Sequence, residues 1–295
     1  MDTFSGYHPL INFTYFTIVI GLSMFYMHPV FLALSLAGSV SYSIYLKGRK
    51  TVKVFLIGML PVCLLTMVMN PLFSHAGATM LFYMRNGNPV TLESIVYGLA
   101  SGLMLAGVIS WFSVFHEVMT SDKFMYLFGK VVPAISLLLS MTLRFVPRFT
   151  AQIKRVAESQ QCIGRNVNNG KLYERAAHGL KILSITTTWA LENSVETADS
   201  MKSRAYGLRG RTNFSIYRFD RRDGALLAFL LGTTGVLLTC MYLRKLKILY
   251  FPVFIMNETT TGAVILYILY GILCMLPLIL NILEDIKWRS LRSEI

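Results

Sequence analysis

Charge is what this sequence has least of. Only 15% of its 295 residues are Asp, Glu, Lys or Arg, against roughly a quarter in ordinary soluble domains. The shortage falls mostly on one sign, with 15 acidic against 28 basic residues and a net charge of +13. A nucleic-acid binder can be this basic, but not also 54% apolar with a mean hydropathy of +0.55, so no nucleic-acid partner is expected. Cysteine is scarce and scattered. Cys63, Cys162, Cys240 and Cys274 form neither a disulfide framework nor a CxxC metal knuckle. The five histidines have no ligand spacing, and no H-E-x-x-H pair occurs, so no metal site is expected. There is no G-x-x-x-x-G-K-[ST] loop, no G-x-S-x-G elbow and no G-x-G-x-x-G after a strand. No catalytic residue and no cofactor is therefore expected in this chain. What remains is a polytopic membrane protein.

The uncharged runs give the spans, since a bilayer core needs about 20 predominantly apolar residues per helix. Thr3 to Leu46 contains no Asp, Glu, Lys or Arg, enough for two helices. The break between them is written at Met27-His28-Pro29, because proline removes a helix donor and restrains the residue before it. A third span is expected from about Val54 to Leu72, followed by an extramembrane loop, and a fourth from Ser94 to His116. Gly224 to Leu243 and Thr259 to Leu283 supply two more. The apolar stretch Val131–Leu143 is short and closely flanked by Lys130 and Arg144, which suits a buried or interfacial helix.

Basic residues orient the chain. Lys47, Arg49, Lys50 and Lys53 mark the loop after the second span as cytoplasmic. Between Arg144 and Arg222 there are 15 Lys and Arg against six Asp and Glu, so that segment is expected in the cytoplasm as well. The expected fold is an all-α integral membrane protein, a helical bundle of about six spans with an inserted cytoplasmic helical domain. Residues 1–117 hold spans one to four, 118–222 the insert, and 223–295 the last two spans.

The insert reads as helical. Val131–Arg144 leads through Pro147 into Arg148–Cys162, which has Phe149, Ile153 and Val156 at i, i+4 and i+7. Asn166 to Gly170 is a turn sequence, and a long helix follows from about Leu172 to Arg204, stopped by Gly207 and Gly210. The stretch Ile182–Leu191 is uncharged for ten residues and is expected to pack against Val131–Leu143. Glu192, Glu196 and Asp199 share one face of the long helix, which suits a solvated or salt-bridging surface. After it comes the basic stretch Ser200–Thr212. One reading is a cluster that binds anionic lipid headgroups. The other is protein docking, because Arg204 between the small residues Ser203 and Ala205 has the planar fork that grips a carboxylate.

Several of these residues carry a resemblance. The chain resembles the transmembrane T component of energy-coupling factor (ECF) transporters, the EcfT/CbiQ family, over nearly its whole length. Ser203-Arg204-Ala205, followed by Tyr206-Gly207, is similar to the second of the family's two Ala-Arg-Gly-type motifs, with alanine where glycine is usual. Where the first is expected, the chain has Cys162-Ile163-Gly164-Arg165, with the arginine shifted past the glycine. Leu143-Arg144-Phe145-Val146-Pro147 resembles the family's Leu-Arg-Phe-x-Pro element, and His8-Pro9 and His28-Pro29 are similar to firmicute members. The resemblance implies a non-catalytic coupling subunit of an ATP-driven importer in the bacterial plasma membrane. Its partners would be two cytoplasmic ABC-type ATPases, one membrane-embedded substrate-binding S component for a vitamin or metal ion, and the lipid bilayer. It further implies that Ser203, Arg204, Ala205, Gly164 and Arg165 dock the ATPases, while Arg144, Pro147 and Gly207 shape the coupling region.

Three rivals are weaker on the residues, the first a membrane enzyme of lipid metabolism, which would need a clustered Asp, His or Cys constellation near the interface that the sequence does not show. A conventional ABC permease should show Glu-Ala-Ala-x-x-x-Gly before Ile-x-Leu-Pro, and Glu174–Gly179 has neither that spacing nor the proline. A secondary transporter should show inverted repeats and ionisable residues at mid-membrane, and neither is evident.

Overall fold

A computed structural model describes residues 2–48, 50–83, 87–129, 132–165, 171–206, 217–243, 248–256 and 261–293. After a 3-10 turn at Phe4–Gly6 come α1 (Pro9–Phe25), α2 (Pro29–Lys47) and α3 (Lys50–Phe73). A small antiparallel hairpin, β1 (Met80–Tyr83) and β2 (Pro89–Thr91), leads into α4 (Leu92–Val118) and α5 (Ser121–Gly129). Then follow α6 (Pro133–Cys162), α7 (Leu172–Ser203), α8 (Arg221–Tyr242), a second hairpin of β3 (Ile248–Leu249) and β4 (Ile255–Met256), and α9 (Thr261–Ser293). Among the described residues four helices are long and apolar enough to cross a membrane: α2, α4, α8 over Arg221–Cys240, and α9 over Thr261–Arg292. Two shorter apolar helices, Pro9–Phe25 and Ile57–Phe73, correspond to the other uncharged runs. The fold is an all-α polytopic membrane protein. The chain forms two compact units, Met1–Phe124 with Tyr217–Ile295, and Met125–Ile216.

In the first unit, α1 and α2 open in the same way. His8 and His28 stand at the N-cap, each accepting through Nδ1 the amide two residues on (Leu10 and Val30, both 3.3 Å). Proline follows at the first helical position, where a missing N–H costs nothing. The His-Pro pairs are thus helix starts, and the second sets the hairpin between α1 and α2. Small residues let helices approach closely, as membrane packing favours. A Cβ added at Gly38 of α2 would meet Cys274 Cβ at 2.9 Å, and one at Gly98 of α4 would meet the Thr66 carbonyl of α3 at 2.8 Å. The buried hydroxyls of Ser23, Ser35 and Tyr270 satisfy one another, because the bilayer offers no water. Ser35 Oγ meets Ser23 Oγ at 2.7 Å and accepts the Trp111 indole N–H at 2.9 Å, while Ser23 Oγ lies 3.2 Å from the Tyr270 hydroxyl.

A polar clasp holds the N-terminal turn in this unit. Asn281 of α9, fully buried, accepts the amides of Thr3 (2.7 Å) and Phe4 (3.2 Å) and donates to the Asp2 carboxylate (2.7 Å). Asp2 also accepts the Tyr42 hydroxyl at 2.9 Å. Lys123 of α5 is buried, its ammonium donating to the Ser5 carbonyl (2.6 Å), Ser5 Oγ (2.8 Å) and the Val118 carbonyl at the end of α4 (2.8 Å). Burial pushes this ammonium below the usual lysine range, and Asp2 partly opposes the shift. A second clasp closes the loop before α4, where the buried Glu93 carboxylate accepts the Thr79 amide (3.1 Å) and hydroxyl.

The second unit is built on α6 and α7. The sequence leads Val131–Arg144 through Pro147 into Arg148–Cys162, and α6 is continuous across that proline. An interior proline removes one backbone bond, and twenty-nine other residues sustain the helix on either side. The expected packing of Ile182–Leu191 against Val131–Leu143 is displaced. Trp189 meets Phe149 edge-on at 5.6 Å, in the later half of α6, because the two helices pass in opposite directions. The early half of α6 faces Asn193–Arg204 instead. The uncharged run is not wholly buried: Ile182 and Thr186 are, whereas Leu183 and Leu191 are exposed.

Candidate functional site

Both long helices of the second unit end in the same backbone structure. At the end of α7, Ser203 is the last helical residue and Arg204 the C-cap. The Ala205 amide donates to the Lys202 carbonyl (3.0 Å) and the Tyr206 amide to the Met201 carbonyl (3.1 Å). Ala205 itself sits at φ +58°. This is a Schellman cap, which needs a left-handed residue just beyond the C-cap and favours glycine there. At the end of α6, Ile163 is the C-cap. The Gly164 amide donates to the Gln161 carbonyl (3.0 Å), and the Arg165 amide to the Gln160 carbonyl (3.0 Å). Gly164 is at φ +81°.

The hydrogen bonds therefore align Cys162-Ile163-Gly164 with Ser203-Arg204-Ala205. The arginine stands at the C-cap in one and one residue past the left-handed turn in the other. Gly207, with Gly210, lies outside the described residues; the caps at Gly164 and Ala205 are the stops the structure shows. At the other end of α7, Glu174 accepts the Lys171 amide at 3.1 Å, closing its first turn as a capping glutamate does. By helix rise the two caps are separated by the length of α7, about 48 Å.

Arg204 opens onto a groove between the helices. Its volume is about 430 Å³, and its walls include Arg144, Arg148 and Met141 of α6 and Asn193, Glu196 and Arg204 of α7. The spacing explains the convergence. Leu137, Met141, Arg144 and Arg148 lie at i, i+4, i+7 and i+11, as do Asn193, Thr197, Ser200 and Arg204, so each set occupies one helix face. Aromatic rings support the arginines. The Arg148 guanidinium lies 5.6 Å from the Trp189 ring centre and the Arg144 guanidinium 5.7 Å from that of Phe145, within cation–π range. Phe145 stacks on Phe149 at 5.7 Å. Among the described residues no carboxylate lies within 4.0 Å of these three guanidinium groups.

The structure thus brings Arg144 together with Arg204 and leaves Gly164 and Arg165 at the far end of the pair. Pro147 lies within α6 between the two groove arginines of that helix. The acidic face expected on α7 divides. Glu196 lines the groove, whereas Asp199 lies 3.9 Å from Lys202 on the surface. Arg148 was not singled out from the sequence, although its i+4 spacing from Arg144 was there to read. No group of three His, Cys, Asp or Glu among the described residues could hold a metal ion.

Fold and groove define a multi-pass membrane protein with a basic two-helix unit. No protein-family model matches the chain. It is similar to curated proteins named energy-coupling factor transporter transmembrane protein EcfT. The relative from Lactobacillus helveticus is 31% identical over 113 residues, covering 38% of this chain and 41% of that protein. That from Bacillus selenitireducens is 25% identical over 68% of this chain and 76% of its own length. A Listeria monocytogenes relative, named EcfT 1, is 27% identical over 63% and 75%. The chain thus spans about two fifths of the first relative and about three quarters of the other two. The chain is thus similar to energy-coupling factor transporter transmembrane proteins over the matched residues, at 25–31% identity.

Proposed function

We propose that this chain is the transmembrane coupling component of an ECF-type importer. Spans in residues 1–117 and 223–295 would embed it in the bacterial plasma membrane and hold a substrate-binding S component. Residues 118–222 would form the cytoplasmic coupling domain. Two ABC-type ATPases would dock at the caps of α6 and α7 and hydrolyse the nucleotide, while the chain itself catalyses nothing. Their opening and closing would move the helix pair and reorient the S component, which carries a vitamin or a metal ion.

The observation that carries this reading is the pair of matched Schellman caps about one helix length apart. Two identical backbone terminations on antiparallel helices offer two separate handles, as a subunit between two partners requires. Arg204 is the handle on one and Gly164-Arg165 on the other, with Ser203 and Ala205 leaving the backbone open to close approach. A lipid-binding patch needs only charge, and neither the caps nor their separation.

The test is co-purification of the ATPases and substrate uptake, measured for each variant in one membrane preparation. Losing one partner of a desolvated charge pair costs about 2–5 kcal/mol, whereas a lipid contact is worth about 1 kcal/mol per basic residue and is indifferent to Lys or Arg. Arg204→Lys should therefore impair retention more than Arg211→Lys, and Arg204→Glu should abolish it. Equal, mild losses at both positions would replace the docking reading with the lipid patch.

A further inference from the structure

We propose that Arg144, Arg148 and Arg204 act together as a carboxylate clamp, receiving an acidic side chain of the ATPase partner into the groove between α6 and α7. This rests on the docking reading above and adds two arginines from the other helix to it. Arg144, Arg148 and Arg204 line one space of about 430 Å³. Among the described residues Glu196 is the only carboxylate in its lining, so the described lining keeps an excess of positive charge. That charge has no partner from this chain's own following segment, because residues 207–216 contain Arg209 and Arg211 and no Asp or Glu.

The chemistry favours a carboxylate over a lipid phosphate. All three cations are arginines, whose planar forks match a planar carboxylate with two parallel hydrogen bonds. Two of them lie beside aromatic rings, Arg148 at Trp189 and Arg144 at Phe145, which restrict the guanidinium plane before the partner arrives. A headgroup contact needs no such orientation and is served equally by lysine. The groove lining also includes the polar residues Ser140, Asn193, Thr197 and Ser200, suited to the backbone and side chain flanking an inserted acid.

The test uses the assembled transporter in its membrane. A photo-crosslinking phenylalanine analogue placed at Thr197 should give an adduct of ATPase mass, mapping to a segment that contains Asp or Glu. A lipid adduct, or none, would overturn the clamp. Arg144→Gln and Arg148→Gln should each weaken ATPase retention about tenfold, the range of one charge-assisted hydrogen bond. Because Arg148 also braces Trp189, Arg144→Glu provides the cleaner probe, with retention restored by the reciprocal acid→Arg change in the crosslinked segment. If both glutamine variants retain the ATPases fully while Arg204→Glu loses them, docking stands and the clamp is wrong. If none of the three substitutions matters, the docking reading fails with it.

Discussion

Exchanging the two left-handed residues tests the cap geometry directly. Gly164→Ala places a Cβ where no heavy atom lies within 4 Å, so any cost comes from the backbone conformation. An L-residue in the left-handed region loses about 1–2 kcal/mol. Alanine regains about 0.4–1 kcal/mol by having less freedom than glycine in the unfolded chain. The net cost is about 1 kcal/mol. Ala205→Gly reverses the argument at the other cap, where alanine already occupies φ +58°, and should stabilise it by about the same amount. Since about 1.4 kcal/mol is tenfold in an equilibrium, each change shifts local opening of its cap about fivefold. Hydrogen exchange read by mass spectrometry can follow the four capping amides, those of Gly164, Arg165, Ala205 and Tyr206. Exchange at 164–165 should speed up in Gly164→Ala, and exchange at 205–206 should slow in Ala205→Gly. Equal behaviour of both variants, or no change in either, would refute the shared Schellman geometry and the alignment built on it.

Three other outcomes are expected. Asn281→Leu should destabilise the folded chain by about 3 kcal/mol, because it strips the Thr3 and Phe4 amides and the Asp2 carboxylate of a buried partner; an unchanged melting temperature in nanodiscs would contradict the clasp. Trp189 is only half-buried, so Trp189→Ala should cost about 2 kcal/mol through its contacts with Phe149 and Arg148, less than the 3–5 kcal/mol of a fully buried aromatic, as read by the denaturation midpoint. Lys171→Cys should react with an impermeant maleimide in inverted vesicles and not in intact cells; labelling from outside would place the helix pair on the wrong side.

The bundle was legible because lipid imposes one rule along whole segments, and the uncharged runs recorded it residue by residue. The helix end near His28-Pro29 was legible for a local reason, proline's missing donor. What failed was inference about packing drawn from a single segment. The pairing of Trp189 with Phe149 depended on which way α7 passes α6, and an uncharged run fixes no direction. The N-terminal clasp joins Asp2 to Asn281, a separation across which pattern reasoning has no reach.

The two coupling motifs show most clearly what geometry adds to letters. By residue identity Gly164-Arg165 is a damaged copy of Ser203-Arg204-Ala205, with its arginine out of place. By hydrogen bonding the two segments are in register: 162 with 203, 163 with 204, 164 with 205. Glycine at 164 then holds the position for which glycine is physically suited, and Ala205 is the residue under strain. The requirement common to both ends is a left-handed turn that satisfies the last carbonyls and exposes the next side chain. A sequence pattern that weights the arginine sees one motif and a remnant. A pattern that weights the backbone sees two equivalent caps, one presenting its guanidinium before the turn and the other after it.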